Sequence, residues 1–570
     1  MSQTKSKKIN LVVNILFSYI AKLQKQKKVW QAIYITLFSC SFLASVWILP
    51  GVSADRISFT YGVLGEFYVS IEDLETFAHK GEITPSFAFY ADRVSQSDLA
   101  ELQNLLNRHF DLNVVTMSTF LNLPIGKELT RQISLIIDSP AKVSQPAIKA
   151  SLILAATKSE GLTIINVLRQ YSTKTLKLNT ERIIEAVDEA SNILTDTERI
   201  FNELGRQGVR ANTDRKLYFD SLADLSHLGT KKWRVEAIAI ESDRENKRQI
   251  DGVVYLPVAN SKPAPLVVIA PGLNTDWQNF SYIAKHLASY GFGVAAVNFP
   301  GTNARRVDAV LNGLDTPPAN NGWVEQPKIV TRLLDEIEGR SGLDPTWKNK
   351  LDFSRVGIIG QSLGGYTAMA IAGAKIDWQH LQKECQKFER SEKINLNPAL
   401  YWQCQGATDI PSNTNLQDKR VIAAIAVNPV TNPIFSQKSL NAFKSPLMMI
   451  TGDRDFFAPA INEQLKPFTW LPEINKYLVL VKNSTHFSFI GGGESNEIEL
   501  PPSIIGSDLT IARSYLKILS VAFFQTYLAR ENEFESYLTE SYFKNISKQQ
   551  LPINLLRSLN DGRLKELIDR

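Results

Sequence analysis

Cysteine is scarce in this chain, with three in 570 residues at Cys40, Cys385 and Cys404, and histidine is nearly as rare, with six. No Cys/His metal spacing is found among them, which excludes a zinc-finger or similar ligand set, and no cofactor-binding motif replaces it. Acidic residues are missing altogether before Asp55, whereas Lys5, Lys7, Lys8, Lys22, Lys25, Lys27 and Lys28 all lie in that stretch. The formal charge of +5 therefore belongs to the first 54 positions, and removing those seven lysines leaves −2 for the remainder. A phosphate-binding surface needs a basic field on the folded part, so the charge distribution excludes nucleic acid as the partner. What the chain does have is an apolar fraction of 44% against 21% charged, enough for a deep core. Its length of 570 residues implies several structural units.

After the lysines comes an uncharged run, Val29–Leu49, and then "PGVSA" before Asp55. This reads as the three parts of an export signal with cleavage after Ala54, which places the mature chain in the periplasm or outside the cell. The run is also long enough to span a bilayer, so an uncleaved membrane anchor with its Lys-rich side in the cytoplasm is the alternative. "LFSC" ending at Cys40 faintly resembles a lipoprotein box, but Phe38 fits it poorly. An oxidising compartment suits the remaining cysteines. Cys385 and Cys404 are a candidate disulfide within one polar insertion, where a bridge would staple a loop with little core of its own; two free thiols are the alternative.

The organisation follows from periodicity. Residues 1–54 are the signal or anchor, and 55–178 a small, mainly helical module that opens with alternating apolar positions. Its helices are announced by caps such as Ser70 with Asp73 and by faces such as Leu99, Leu102, Leu105 and Leu106. Nothing in it carries a nucleophile or ligand cluster, so a packing or lid role is expected. A polar helical connector covers 179–231. From 232 to 535 short β-branched runs alternate with helices, the pattern of a mostly parallel sheet covered on both faces. Eight strands are expected there, starting near Trp233, Gln249, Leu266, Val294, Arg355, Val421, Leu447 and Tyr477, with the first two antiparallel because their polar link is too short for a crossover. An insertion at about 376–418 holds both cysteines, and "IARSYLKILSVAFFQTYL" is a helix apolar enough to cover one face. Residues 536–570 form a C-terminal extension.

The chemistry enters at "RVGIIGQSLGGYTAMAIAGAK", an apolar strand that runs into Gly360-Gln361-Ser362-Leu363-Gly364 and continues as a small-residue helix. This is the layout of a nucleophile elbow, in which only small residues fit around the turn and Ser362 stands at the sheet edge. Serine needs a base to take its proton, and the base needs a carboxylate to hold its tautomer. In this architecture both follow the serine, acid first, each just past a strand. "SPLMMITGDRDFFAP" supplies Asp455, with Asp453 as a competitor better suited to the turn, and "YLVLVKNSTHFSF" supplies His486, the only histidine that follows a strand in the right place. The oxyanion expects the backbone N–H of Leu363 and a second donor, Leu273, from "IAPGLNTDW", where Gly272 lets the main chain approach. The alternative there is that Pro271 and Gly272 only make a turn.

From about Lys232 onward the chain resembles an alpha/beta hydrolase. Within that superfamily "APGLNTDWQNF", "GQSLGGYTA", "ITGDRDFFAP" and "NSTHFSF" are similar to the dienelactone-hydrolase-like and plasma-type platelet-activating-factor acetylhydrolase group. One departure is Pro271-Gly272 where many relatives carry His-Gly. The module at 55–178 resembles a domain of unknown function that precedes such hydrolases in cyanobacterial proteins. The resemblance implies ester hydrolysis through an acyl-enzyme, without a cofactor, on a small-molecule or lipid ester of short or medium acyl length. A peptidase of the same fold, and a noncatalytic scaffold on the cell envelope, are the rival expectations. Trp277, Phe280, Trp323, Phe456, Phe457, Phe487 and Phe489 fall in or beside the loops of the expected site, either as acyl-binding surface or as core.

Overall fold

A computed structural model describes residues 53–60, 65–110, 112–211, 222–241, 249–258, 261–316, 322–407, 414–492, 505–506, 508–557 and 566. The Lys-rich segment, Val29–Leu49 and Cys40 lie outside the described residues. Two compact units separate between Leu194 and Thr195, and the short stretches Ala309–Pro317 and Ser391–Leu396 belong with the first.

The first unit carries strands β1 (Arg56–Thr60), β2 (Glu66–Ser70) and β3 (Thr175–Leu178). They form a small sheet in the order β2-β1-β3, with β1 antiparallel to β2 and parallel to β3. The local pattern does not announce β3, because it is four residues long and its partner lies over a hundred positions upstream. Helices α1 (Ile71–Lys80), α2 (Pro85–Ala91), α3 (Gln96–Leu106), α4 (Val114–Asn122), α5 (Pro124–Ile136), α6 (Ala141–Ala156) and α7 (Ile164–Arg169) pack around it. Their starts are set by side chains that satisfy first-turn N–H groups: Ser70 accepts from Glu72 and Asp73, Ser95 from Asp98, and Asn113 from Thr116. α8 (Thr180–Ala211) follows, and its second half places Ile200, Phe201 and Leu204 in the core of the second unit.

The second unit is built on β4 (Trp233–Glu241), β5 (Gln249–Pro257), β6 (Ala264–Ala270), β7 (Gly293–Val297), β8 (Leu351–Gln361), β9 (Val421–Val427), β10 (Leu447–Gly452), β11 (Lys476–Val481) and β12 (Ile553–Leu556). The sheet order is β12-β11-β10-β9-β8-β6-β7-β5-β4. Pairing is parallel from β7 through β6, β8, β9 and β10 to β11. It is antiparallel for β4/β5, β5/β7 and β11/β12. The sheet thus has nine strands rather than the eight expected. The extra strand comes from the C-terminal extension, where "INLL" is too short to show an alternation and becomes a strand only by pairing with the β11 edge.

Helices α9 (Ser281–Ser289), α10 (Ala304–Leu311), α11 (Gly322–Leu343), α12 (Leu363–Ile371), α13 (Trp378–Arg390), α14 (Pro398–Gly406), α15 (Gln437–Asn441), α16 (Lys466–Thr469), α17 (Leu509–Phe524) and α18 (Glu540–Ile546) accompany the sheet among the described residues, and the end of α10, from Ala309 on, lies in a stretch that belongs with the first unit. Every residue of β6, β7, β10 and β11 is buried, as in parallel strands covered on both faces. Alternation along β8 divides the two cores: Val356 and Ile358 join α11 and α12 on one side, while Ile359 joins α9 and α17 on the other. α17 lies so close to β8 that a Cβ at Gly357 would stand 2.6 Å from a ring carbon of Phe524. In the insertion Cys385 of α13 and Cys404 of α14 are joined by a disulfide with a Cα–Cα distance of 5.2 Å, so neither is a free thiol.

Candidate active site

β8 ends at Gln361, and the chain turns through Ser362 with φ +57° directly into α12. A serine in the left-handed region is strained, a feature of turns that present a side chain for chemistry. The turn is fixed from both sides, because Ser362 N–H donates to Val427 O of β9 at 2.9 Å and Ser362 O accepts from Tyr366 N–H at 3.0 Å. The glycines are required by the backbone around it. A Cβ at Gly360 would fall 2.0 Å from Gly364 O, and one at Gly364 only 1.9 Å from Ala270 O. The side chain of Ser362 is left half-buried.

Asp455 and His486 come from the loops after β10 and β11. His486 Nδ1 lies 2.7 Å from Asp455 Oδ2, and both residues are buried. Asp455 Oδ1 accepts from the N–H groups of Phe457 and Ala458 at 2.9 and 2.7 Å. The carboxylate is thereby aimed, with one oxygen held by main chain and the other left for the imidazole. Asp453 is placed differently: its Oδ1 accepts from Asn483 N–H at 2.6 Å, which ties the turn after β10 to the start of the histidine loop. The loop after β6 passes beside the serine, since a Cβ at Gly272 would stand 3.1 Å from Ser362 Cβ and 2.7 Å from Gln361 Oε1. Gly272 therefore sits where only a glycine fits, with Leu273 next in the chain, while Leu363 opens α12 and puts its N–H at the positive end of that helix. Of the aromatic residues, Phe280, Trp323 and Phe489 are core. Phe457 and Phe487 are half-buried and flank the imidazole, with centroids 5.6 and 5.4 Å from its own.

Three polar residues here lie outside the expected set. Gln361 occupies a variable position of the elbow pattern, yet its Nε2 donates to His486 O at 3.0 Å. Asn428, just past β9, also reaches that loop. Glu463, on a π-helical turn Ile461–Leu465, is fully buried and accepts from Asn397 Nδ2, Gln403 Nε2 and the N–H groups of Thr431 and Asn432. It ties the disulfide-bonded helix α14 to the turn after β9. In sequence it is one more carboxylate on a helical run, and nothing local marks it as buried.

Burial pushes the Glu463 carboxyl up to about 7, against donated hydrogen bonds that favour the anion and with Asp455 adding repulsion. A carboxyl raised from 4.5 stabilises the fold fully below the unfolded value, and that contribution fades as pH rises from 4.5 to about 7. The change is ~3 kcal/mol. His286 works in the opposite sense: burial lowers it to about 4, so stability is lost as pH falls from 6.5 towards 4. The two are separated by comparing native protein with Glu463→Gln in denaturant titrations at pH 5 and pH 8. The variant is expected to be less stable at pH 5, because the hydroxyl oxygen of the protonated carboxyl can still accept from its neighbours whereas an amide nitrogen cannot, and the gap should narrow at pH 8. A gap that is the same at both values would show that Glu463 does not titrate in this range.

Residues 53–179 match the family model described as "Alpha/beta hydrolase of unknown function (DUF1400)". Acylamino-acid-releasing enzyme 2 of Oryza sativa subsp. japonica is 27% identical over 212 residues, which cover 36% of this chain and 24% of that protein. Platelet-activating factor acetylhydrolase of Cavia porcellus is 23% identical over 319 residues, covering 49% of this chain and 61% of that protein. The chain thus spans about a quarter and about three fifths of these two curated relatives. With the sheet order, the strand–serine–helix turn and these similarities together, the chain has the alpha/beta hydrolase fold, and its front segment matches the DUF1400 family model.

Proposed function

We propose that the protein is an exported serine hydrolase that cleaves carboxylic esters of short or medium acyl length, lipid esters included, through an acyl-enzyme. The observation that carries this reading is the buried Asp455–His486 pair held at 2.7 Å, on loops that follow β10 and β11 of the same sheet whose β8 ends in the serine elbow. Ser362 Oγ attacks the acyl carbon while Nε2 of His486 takes its proton. The carbonyl electron pair moves onto oxygen, where the N–H groups of Leu363 and Leu273 receive it, a contribution of about 3 kcal/mol per donor. The tetrahedral intermediate then breaks its C–O bond to the leaving alkoxide, which takes the proton from the imidazolium. Water, deprotonated by the same base, attacks the acyl-serine and releases the acid and the free hydroxyl. Asp455 keeps the proton on Nδ1 of the neutral ring and stabilises the imidazolium. The scheme uses no cofactor.

The acetylhydrolase similarity and the apolar flanks Phe457 and Phe487 favour an acyl ester. The similarity to an acylamino-acid-releasing enzyme supports a second reading, cleavage of peptide bonds by the same groups. Export rests on the Lys-rich start, the Val29–Leu49 run and the Cys385–Cys404 disulfide. Among the described residues no helix is long and apolar enough to cross a membrane. The test is labelling with a fluorophosphonate, together with a panel of p-nitrophenyl esters of increasing chain length and a set of peptide anilides. One adduct per chain at Ser362 and faster turnover of esters are expected. Absence of the adduct would mean a noncatalytic protein, and faster turnover of anilides would mean a peptidase.

A further inference from the structure

We propose that Gln361 and Asn428 are positioning residues for the base: their side-chain amides grip the main-chain carbonyl of His486 and thereby set where its imidazole stands relative to Ser362. The proposal rests on the ester-hydrolase reading above. Gln361 Nε2 donates to His486 O at 3.0 Å, and Asn428 Nδ2 donates to Thr485 O at 3.2 Å and to His486 O at 3.4 Å. Both amides are almost fully buried. They start from the ends of the two strands that also define the nucleophile. Gln361 immediately precedes Ser362, and Asn428 follows Val427, whose carbonyl accepts from Ser362 N–H. Asn428 is itself pinned in the left-handed region, φ +43°, with its N–H donating to Ile450 O of β10.

The geometry gives the clamp a purpose that packing does not. Asp455 holds the imidazole by Nδ1 alone, and a ring tethered at one atom can swing about that bond. Fixing the main chain of His486 as well leaves one position for Nε2. Stability by itself would not select these amides. Gln361 lines a small cavity with Ile269, Phe280, Ile359, Val427 and Phe489, surroundings that an apolar side chain would suit as well. Asn428 Oδ1 has no hydrogen-bond partner among the described residues, so this amide is used through its donor. Gln361 also touches the third element of the site, with its Oε1 beside Gly272. One buried residue thus adjoins the nucleophile, the base loop and the oxyanion loop.

The test uses Gln361→Met, which keeps length and volume without the donor, Asn428→Gly, which tolerates the same backbone angle without the donor and adds no charge, and the double variant. Each single change is expected to lower kcat for a p-nitrophenyl ester by about 10- to 100-fold, the cost of a displaced catalytic group. KM should stay within about twofold, and the melting temperature of Gln361→Met should stay close to native. The double variant should fall little below the worse single one, because both amides act through one carbonyl. Native kcat in Gln361→Met, a loss confined to KM, losses that multiply in the double variant, or losses that track melting in both variants would each overturn the clamp. Failure of the native protein to take the fluorophosphonate would instead overturn the hydrolase reading and the clamp with it. A labelled native protein beside an unaffected Gln361→Met would remove the clamp alone.

Discussion

Replacing Ser362 by alanine is expected to lower kcat for ester hydrolysis by about 10⁴- to 10⁶-fold while leaving the fold in place. The change removes the atom that bonds to the acyl carbon and nothing that the elbow needs. The turn is held by the N–H and carbonyl of residue 362, which alanine retains, and both side chains meet the same penalty at φ +57°. Asp455→Asn should cost about 10⁴-fold by a different route. An asparagine carbonyl would keep the bonds from Phe457 and Ala458 N–H, so its amide nitrogen would face His486 Nδ1 and demand the wrong tautomer. Because the two groups act as one device, the double variant should be no slower than Ser362→Ala alone. Measuring kcat for the three variants beside their melting temperatures decides the matter. A Ser362→Ala protein with more than a hundredth of native turnover would assign the chemistry to another nucleophile.

The second large effect concerns folding. Gly364→Ala is expected to abolish soluble expression, at a cost above about 4 kcal/mol. The added methyl would lie 1.9 Å from Ala270 O and 2.7 Å from Pro271 O, both main-chain atoms at the end of a fully buried central strand. No rotamer relieves that contact, and moving α12 outward would unseat Ser362 and break the turn. Gly339→Ala provides the control. It lies within α11 with no atom inside 4 Å of the added methyl, so it should raise stability by roughly 0.5 to 1 kcal/mol. Expression level and thermal unfolding of the pair provide the measurement. Soluble Gly364→Ala with a native melting temperature would mean that α12 does not approach β6 this closely.

The elbow was legible because tight geometry leaves a local trace. A nucleophile between a strand and a helix needs Gly360 and Gly364 at fixed offsets, and parallel strands buried on both faces read as continuous apolar runs. Asp455 and His486 were legible as candidates because each follows such a run in the chain order that this architecture uses. β3 and β12 left no such trace, being four residues each and formed only against partners distant in sequence. Gln361, Asn428 and Glu463 were invisible for another reason: an amide or carboxylate acquires its role from what it touches, and the same letters stand elsewhere in the chain both in the core and on the surface.

By itself, then, the sequence determined the alternation of strands and helices, the position of the elbow, the order of serine, acid and base, and the two cysteines within one insertion. Each of these is a local pattern or an order along the chain. Only the tertiary structure decided that Asp455 rather than Asp453 faces the imidazole, that the cysteines are joined, that a ninth strand closes the sheet, and that two buried amides meet on His486. Those outcomes depend on distances between groups as far apart as 125 positions, which are fixed by the register of neighbouring strands and the packing of helices and by nothing in the residues on either side.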